Sequence, residues 1–290
     1  MKILLTGGSG FIGRNIRESF LSEKYQILAP SSKELNLLDR QSVSAFFSEN
    51  EVDVVIHAAV KSCDRLSYDQ EDVLSNNLRM FYNLESQKKR YKKFLNLGSG
   101  AVYDKRRSME KVKEEDFLAQ IPKDMYGFSK YIIAKHIEKE PNFYDLRIFG
   151  IFGKYEDYTL RFVSNAICRA LCDLPITIKQ NCHFDYLYVN DLMSVLDWFI
   201  ENDPQHTSYN ITPDSSISLY ELAGIVKDVA DKPKLPIQVA EEDLGLEYSG
   251  SNSRLKNEFS NLKLTPIRDV VQELYDWYRE NTDKINNEVI

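Results

Sequence analysis

The 290-residue chain has no long hydrophobic run. Its longest apolar stretches, such as VDVVIHAAV (52–60), fall far short of the roughly 20 residues needed to cross a bilayer, so no membrane span is expected. Positive charge is not in excess either. The 37 Lys and Arg against 44 Asp and Glu leave a formal net charge of −7, and a nucleic-acid groove, which needs a clustered basic surface, is not expected. A local pocket can still hold an anionic small molecule. Cysteine is sparse: Cys63, Cys168, Cys172 and Cys182 lack the regular close pairs of a zinc site, and Cys168 with Cys172, one helical turn apart, makes half a site. They read as apolar fillers, and no metal is expected. Nothing at Met1-Lys2-Ile3 reads as a secretory signal, which points to the cytoplasm.

What the chain does have is alternation. KILLT (2–6), YQILA (25–29), VDVVIHAA (52–59), YKKFLNL (91–97) and FYDLRIFG (143–150) read as strands. Helical pattern lies between them, over Phe11–Leu21, Asp69–Gln87 and Met125–Glu138. The strands are nearly continuously apolar, as a sheet covered on both faces requires. The expected fold is α/β: a Rossmann-type doubly wound parallel sheet, with a smaller mixed α/β C-terminal substrate lobe. The boundary falls near Gly153, giving residues 1–153 and 154–290, with room for later segments to return to the first domain. Helices are expected at Leu160–Leu171, Asp191–Glu201, Leu219–Ala230 and Thr265–Glu280, with short strands such as DYLYV (185–189). The charge run DKRRSMEKVKEED (104–116) reads either as a solvated loop or as a flap over the site.

TGGSGFIG (6–13) directly follows the first strand and opens the first helix. Gly7 permits the tight turn, Gly10 the approach of a pyrophosphate to backbone amides, and Gly13 close helix–strand packing. With Phe11 and Ile12 in the helix's first turn, this is a dinucleotide cradle. The second strand ends in APSSKE (29–34), without the usual acidic residue for the adenosine ribose. Ser31, Ser32 and Lys33 suit a 2′-phosphate, so NADP(H) is favoured and NAD(H) remains open. Ala58 and Ala59, small residues after the third strand, let the cofactor approach the sheet edge. His57 reads as a strand-end histidine held by local hydrogen bonds. Asn77 can hold the sheet-end loops through its amide.

YGFSK (126–130) places Tyr126 and Lys130 four apart on one helical face, both against the cofactor. Lys130 would stabilise negative charge on Tyr126 and bind nicotinamide ribose hydroxyls. Tyr126 would exchange a proton with a substrate oxygen, and Ser99, in LGSGAVYD (97–104), would hydrogen-bond the same oxygen. Lys154, in the turn after GIFG, is a phosphate candidate.

These motifs together with HAA (57–59), NL (83–84), GSGAVY (98–103), LRIFGIFG (146–153) and FDYLYVNDL (184–192) resemble the extended short-chain dehydrogenase/reductase family, in its NAD(P)-dependent nucleotide-sugar epimerase/dehydratase/reductase branch. ELNLLD (34–39) resembles the corresponding stretch of GDP-fucose synthases. The resemblance implies that Ser99, Tyr126 and Lys130 are the family triad, that the C-terminal lobe binds a nucleoside-diphosphate sugar, and that two copies pair as a homodimer. It also implies Arg254 as a substrate contact near the diphosphate. The arginine expected before the aromatic-Leu-Tyr-Val run is replaced by Phe184. Dehydratases carry an acid and usually a carboxylate after the catalytic hydroxyl, and fucose synthases a cysteine two residues on; here stand Gly100 and Ala101. The expected reaction is therefore reduction of the C4 ketone of a 4-keto-6-deoxy nucleotide sugar by NADPH. The alternatives are 4-epimerisation on bound NAD and a non-catalytic nucleotide-sugar-binding relative.

Overall fold

In the computed structural model, which describes residues 1–61 and 72–286, six parallel strands form a central sheet. Across the sheet they run Ser208–Ile211, Phe143–Ile148, Lys93–Ser99, Val54–His57, Lys2–Thr6 and Gln26–Leu28. The chain starts inside the sheet, adds Gln26–Leu28 on one side, then crosses to Val54–His57 on the other. The carboxyl ends of Lys2–Thr6 and Val54–His57 thus flank the topological switch point, where sheets of this class bind ligands.

Both faces of the sheet are covered, which is why its strands are apolar at successive positions. Leu4, Val55, Phe94 and Phe143 pack on one side with Phe47, Phe81 and Ile133. Ile3, Leu5, Ile56, Leu95 and Leu146 belong to a second core. That core runs on through the helices Phe162–Leu171, Val189–Glu201, Leu219–Val229 and Ile267–Glu280. The C-terminal half shares this core, and Ser208–Ile211 joins the central sheet beside Phe143–Ile148.

Local details depart from the sequence reading. The helix expected over 11–21 ends at Glu18, where Ser19 Oγ donates to Ile16 O at 2.8 Å, and a new turn begins at Leu21. The fourth strand is Lys93–Ser99, so Ser99 is its last residue. The helix expected from Asp69 is described over Val73–Glu85; residues 69–71 and Cys63 lie outside the described residues.

A second, mixed sheet contains Ser216–Ser218, His183–Tyr188, Tyr248–Gly250 and Met109–Val112, with Gly150–Phe152 paired to His183–Tyr188. The charge run is therefore neither wholly solvated nor a loose flap. Met109 packs among Tyr103, Phe149 and Tyr248, while Glu110 and Lys111 face outward. Glu114 is buried and accepts the Asn210 amide at 2.7 Å.

Beyond Gly150–Phe152 the chain turns Glu156 inward. Its carboxyl accepts from Ser164 Oγ at 2.7 Å and is pushed up to about 8, mainly by desolvation. From the ordinary value of 4.5 to about 8, the folded chain keeps a proton that the unfolded chain has released. Stability therefore falls as pH rises through that window, by up to about 1.4 kcal/mol per pH unit. Glu156→Gln keeps a neutral partner for Ser164 and should flatten that fall. Urea midpoints of both proteins at pH 5.5 and 7.5 test this, and parallel slopes would show that Glu156 is not the group responsible.

Candidate active site

Lys2–Thr6 delivers TGGSGFIG to the switch point. Gly7 has φ 70°, and a Cβ there would lie 2.7 Å from the Ala59 nitrogen, so the turn presses on the residues after Val54–His57. A Cβ on Gly13 would stand 2.2 Å from Gly7 O; glycine alone lets the Phe11–Glu18 helix begin this close to the strand. Gly10 donates to Gly7 O at 3.0 Å and closes the turn. No side chain caps the helix, so its first-turn amides, over Phe11, Ile12 and Gly13, are offered to an anion.

The end of the second strand has two groups near it that spacing had not singled out, Arg17 and Glu34. A Cβ on Gly8 would meet Ala29 Cβ at 2.9 Å and Arg17 Cδ at 3.5 Å, and Arg17 Nη1 donates to Gly8 O at 3.5 Å, so Arg17 and the residue after the second strand both lie against the glycine loop. Arg14 Nε donates to Ser9 O at 2.9 Å beside it. Arg17 falls one turn after Gly13 on the same helix face, which is the one signal that could have found it. Ser31, Ser32 and Lys33 are exposed at the same strand end. Glu34 turns back to accept the Ser31 amide at 2.7 Å, and that bond together with the Ser31 hydroxyl holds its carboxylate below the ordinary value.

His57 is held locally. Thr6 Oγ1 accepts the Ala59 amide at 3.2 Å and lies 2.8 Å from His57 Nδ1. Burial, followed by the nearby Lys130 charge, pushes the imidazole down to about 3, so it is neutral. Asn77 is buried and braces the strand-end segment. It accepts Lys61 N–H at 2.8 Å, donates to Lys61 O at 3.1 Å and reaches Ser129 Oγ at 3.2 Å.

Ser99 ends its strand, and Ala101 N–H donates to Ser99 Oγ at 3.1 Å as the chain turns through Gly100–Tyr103. Both glycines beside it are imposed from outside. A Cβ on Gly98 would lie 2.3 Å from Asp145 Oδ1, and one on Gly100 would lie 2.5 Å from Tyr248 Oη. The Met125–Ile137 helix is capped by Asp124, whose side chain accepts Gly127 N–H at 2.7 Å. Gly127 packs on the serine turn, its would-be Cβ 2.9 Å from Ala101 O. Lys130 is buried, donates to Leu97 O at 2.8 Å and stands 5.8 Å from the Tyr126 ring centroid. Ser99, Tyr126 and Lys130 therefore converge at the carboxyl end of one strand. Tyr248 was not found by sequence reasoning, since a lone tyrosine 149 positions after Ser99 carries no local signal.

Beneath the turn lies a buried polar chain. Asn96 Nδ2 donates to Asp145 Oδ1 at 2.6 Å, and Arg147 Nε donates to Asp145 Oδ2 at 3.1 Å. Arg147 Nη1 donates to Tyr103 Oη at 2.9 Å, and Tyr103 donates to Asn210 Oδ1 at 2.7 Å.

The two expected phosphate contacts are both tied to other parts of the protein. Lys154 is held against the Phe11–Glu18 helix, its carbonyl accepting Asn15 Nδ2 at 2.9 Å. Arg254 donates to Ser208 O at 2.9 Å and pairs with Glu115, so a diphosphate there would compete with a carboxylate. Glu85, His136 and Glu140 cluster on the surface, where the Lys88 ammonium already lies 2.8 Å from both carboxylates.

Arg147→Met should cost about 3–5 kcal/mol of stability, because it strands the Asp145 carboxylate in the interior. Denaturant unfolding measures this, and a loss below about 1 kcal/mol, the scale of an exposed pair, would mean the network is not needed.

A family model described as "NAD dependent epimerase/dehydratase family" matches residues 3–212. GDP-L-colitose synthase of Yersinia pseudotuberculosis is 26% identical over 247 residues, 76% of this chain and 80% of that protein. Among solved structures, a GDP-L-fucose synthetase of Naegleria fowleri bound to NADP aligns with TM-score 0.83 at 16% identity, over 98% of this chain and 94% of that one. A UDP-glucose 4-epimerase of Thermus thermophilus in complex with NAD aligns with TM-score 0.80 at 21% identity, over 96% and 99%. At these identities the two structures share the fold.

Proposed function

The chain belongs to the NAD dependent epimerase/dehydratase family, enzymes that interconvert nucleotide sugars with NAD(P), and from that premise we propose that it reduces the C4 ketone of a nucleoside-diphosphate 4-keto-6-deoxy sugar with NADPH. The observation that carries this reading is the pair of residues after Ser99. Ala101 is buried, and the space beside Gly100 is filled by Tyr248 Oη, so neither position offers an acid, a carboxylate or a thiol. What remains is equipment for one hydride and one proton.

A bound nicotinamide would supply the hydride for C4. Tyr126 gives its proton to O4, and Ser99 hydrogen-bonds O4 as negative charge develops there. Lys130, anchored on Leu97 O, favours the resulting charge on Tyr126 and holds the ribose. The C=O bond becomes CH–OH while NADPH is oxidised to NADP. Arg17, with Ser31, Ser32 and Lys33, meets the 2′-phosphate; Lys154 and Arg254 are the diphosphate contacts of this reading. The names of two of the relatives favour GDP as the nucleotide. Two copies pair through the helices Val73–Glu85 and Met125–Ile137, where Tyr82 is exposed, and the enzyme works in the cytoplasm. A second reading, 4-epimerisation on bound NAD, is favoured by Glu34 at the adenosine end.

Incubation with GDP- and dTDP-linked 4-keto-6-deoxyhexoses and stoichiometric NADPH should oxidise one cofactor per 4-hydroxy product. Exchange between two 4-hydroxy sugars without net oxidation would favour the second reading. Tyr126→Phe should lower turnover by at least about a hundredfold, and a variant near wild-type rate would remove Tyr126 as proton donor. Arg17→Ala should weaken NADPH binding about tenfold and leave NADH binding unchanged, by fluorescence titration; equal losses for both would deny it a 2′-phosphate role.

A further inference from the structure

The two helices that carry Asn77 and the Tyr126–Lys130 pair end side by side. Val73–Glu85 finishes on Glu85, and the last turn of Met125–Ile137 holds His136. Past that helix the chain keeps turning. Lys139 N–H donates to His136 O at 3.1 Å and Glu140 N–H to Ile137 O at 3.0 Å, which brings Glu140 back beside His136. Glu85, His136 and Glu140 thus meet, with one donor atom from each within 4.8 Å of the others.

Their geometry fits an ion better than it fits the three side chains alone. His136 Nε2 stands 3.7 Å from Glu85 Oε1 and 3.7 Å from Glu140 Oε1, too far for hydrogen bonds. Nε2 is buried and has no hydrogen-bond partner among the described residues. Donors at bonds of about 2.1 Å around a tetrahedral zinc stand about 3.4 Å apart, so small side-chain shifts would close the shell. The imidazole is already oriented, with the Phe81 and Tyr82 ring centroids at 5.5 and 5.2 Å, both edge to face. Charge favours a cation as well, since two carboxylates converge where both helices present their partially negative C-terminal ends. A cation already reaches in. Lys88 Nζ lies 2.8 Å from Glu85 Oε1 and from Glu140 Oε2, and its side chain, 40% exposed, has room to swing out.

We propose that Glu85, His136 and Glu140 form a binding site for a divalent transition-metal ion, zinc in the first instance, which displaces the Lys88 ammonium. One imidazole with two carboxylates suits zinc, whereas Mg²⁺ and Ca²⁺ favour oxygen donors throughout. Three protein ligands leave a fourth position open. No cysteine takes part, which is why cysteine spacing carries no trace of the site. The ion clamps the C-terminal ends of two helices whose N-terminal halves hold Asn77, Tyr126 and Lys130. All three ligands belong to one chain, and the site is independent of the reaction proposed above.

The test takes the full chain, freed of metal by dialysis against a chelator, and titrates it with Zn²⁺ in a calorimeter, with Mg²⁺ as the control ion. The wild-type protein should take up one Zn²⁺ per chain at this site and melt at a higher temperature with it, and should not respond to Mg²⁺. His136→Ala and Glu140→Gln should each weaken Zn²⁺ binding at least about tenfold and remove the melting shift. Lys88→Ala should tighten binding several-fold, because the competing ammonium is gone. Glu140→Gln keeps the shape of its side chain, so the test stands even if His136→Ala folds poorly. No uptake by the wild-type protein, uptake that neither ligand substitution weakens, weaker binding in Lys88→Ala, or an equal response to Mg²⁺ would each overturn the proposal.

Discussion

A guanidinium with no exposed surface lies under the serine turn, and much of the site hangs on satisfying it. Arg147 sits on the Phe143–Ile148 strand with its 0% exposed side chain beside Asp145, two residues back on the same face. A buried charge is tolerated only when paired and hydrogen-bonded. The partners come from three strands and a turn: Asp145 with Asn96 from the neighbouring strand, Tyr103 from the turn, and Asn210 beyond it. Asn210 also donates to Val112 O at 2.9 Å and Ser251 O at 3.2 Å, in segments of the second sheet. One polar chain thereby links the central sheet, the Ser99 turn and the second sheet.

That frame explains why the residues around Ser99 are small. Gly98 clears the Asp145 carboxylate, and Gly100 clears the Tyr248 hydroxyl. Gly127 brings the helix bearing Tyr126 and Lys130 onto the Ala101 carbonyl. Small residues here are packing solutions to groups arriving from other segments. Their chemical consequence, a turn without its own acid or thiol, narrows the reaction that the site can perform.

Much of this is legible in the sequence. The alternation of apolar runs marked the sheet, because strands covered on both faces must be apolar at successive positions. TGGSGFIG marked the cofactor turn, because a strand meeting a helix within so few residues requires glycine where backbones touch. Tyr126 and Lys130 share a helix face by spacing alone. The strand Met109–Val112 was hidden, because its charges face outward and only Met109 is fully buried, against residues far away in the chain. Glu34 was hidden because only the folded turn brings its carboxylate back to the Ser31 amide, and Arg17 had no more than its spacing from Gly13 to mark it.

The sequence by itself determined the parallel sheet, the cofactor turn and the serine, tyrosine and lysine that meet there. Each of these is written in local spacing: period, glycine position and helix face. Tertiary structure alone decided what surrounds them. It brought Tyr248 against Gly100, Arg147 onto Tyr103, Arg17 to Gly8 and Glu115 against Arg254. Most of those pairings join residues distant along the chain, so no local spacing could show them.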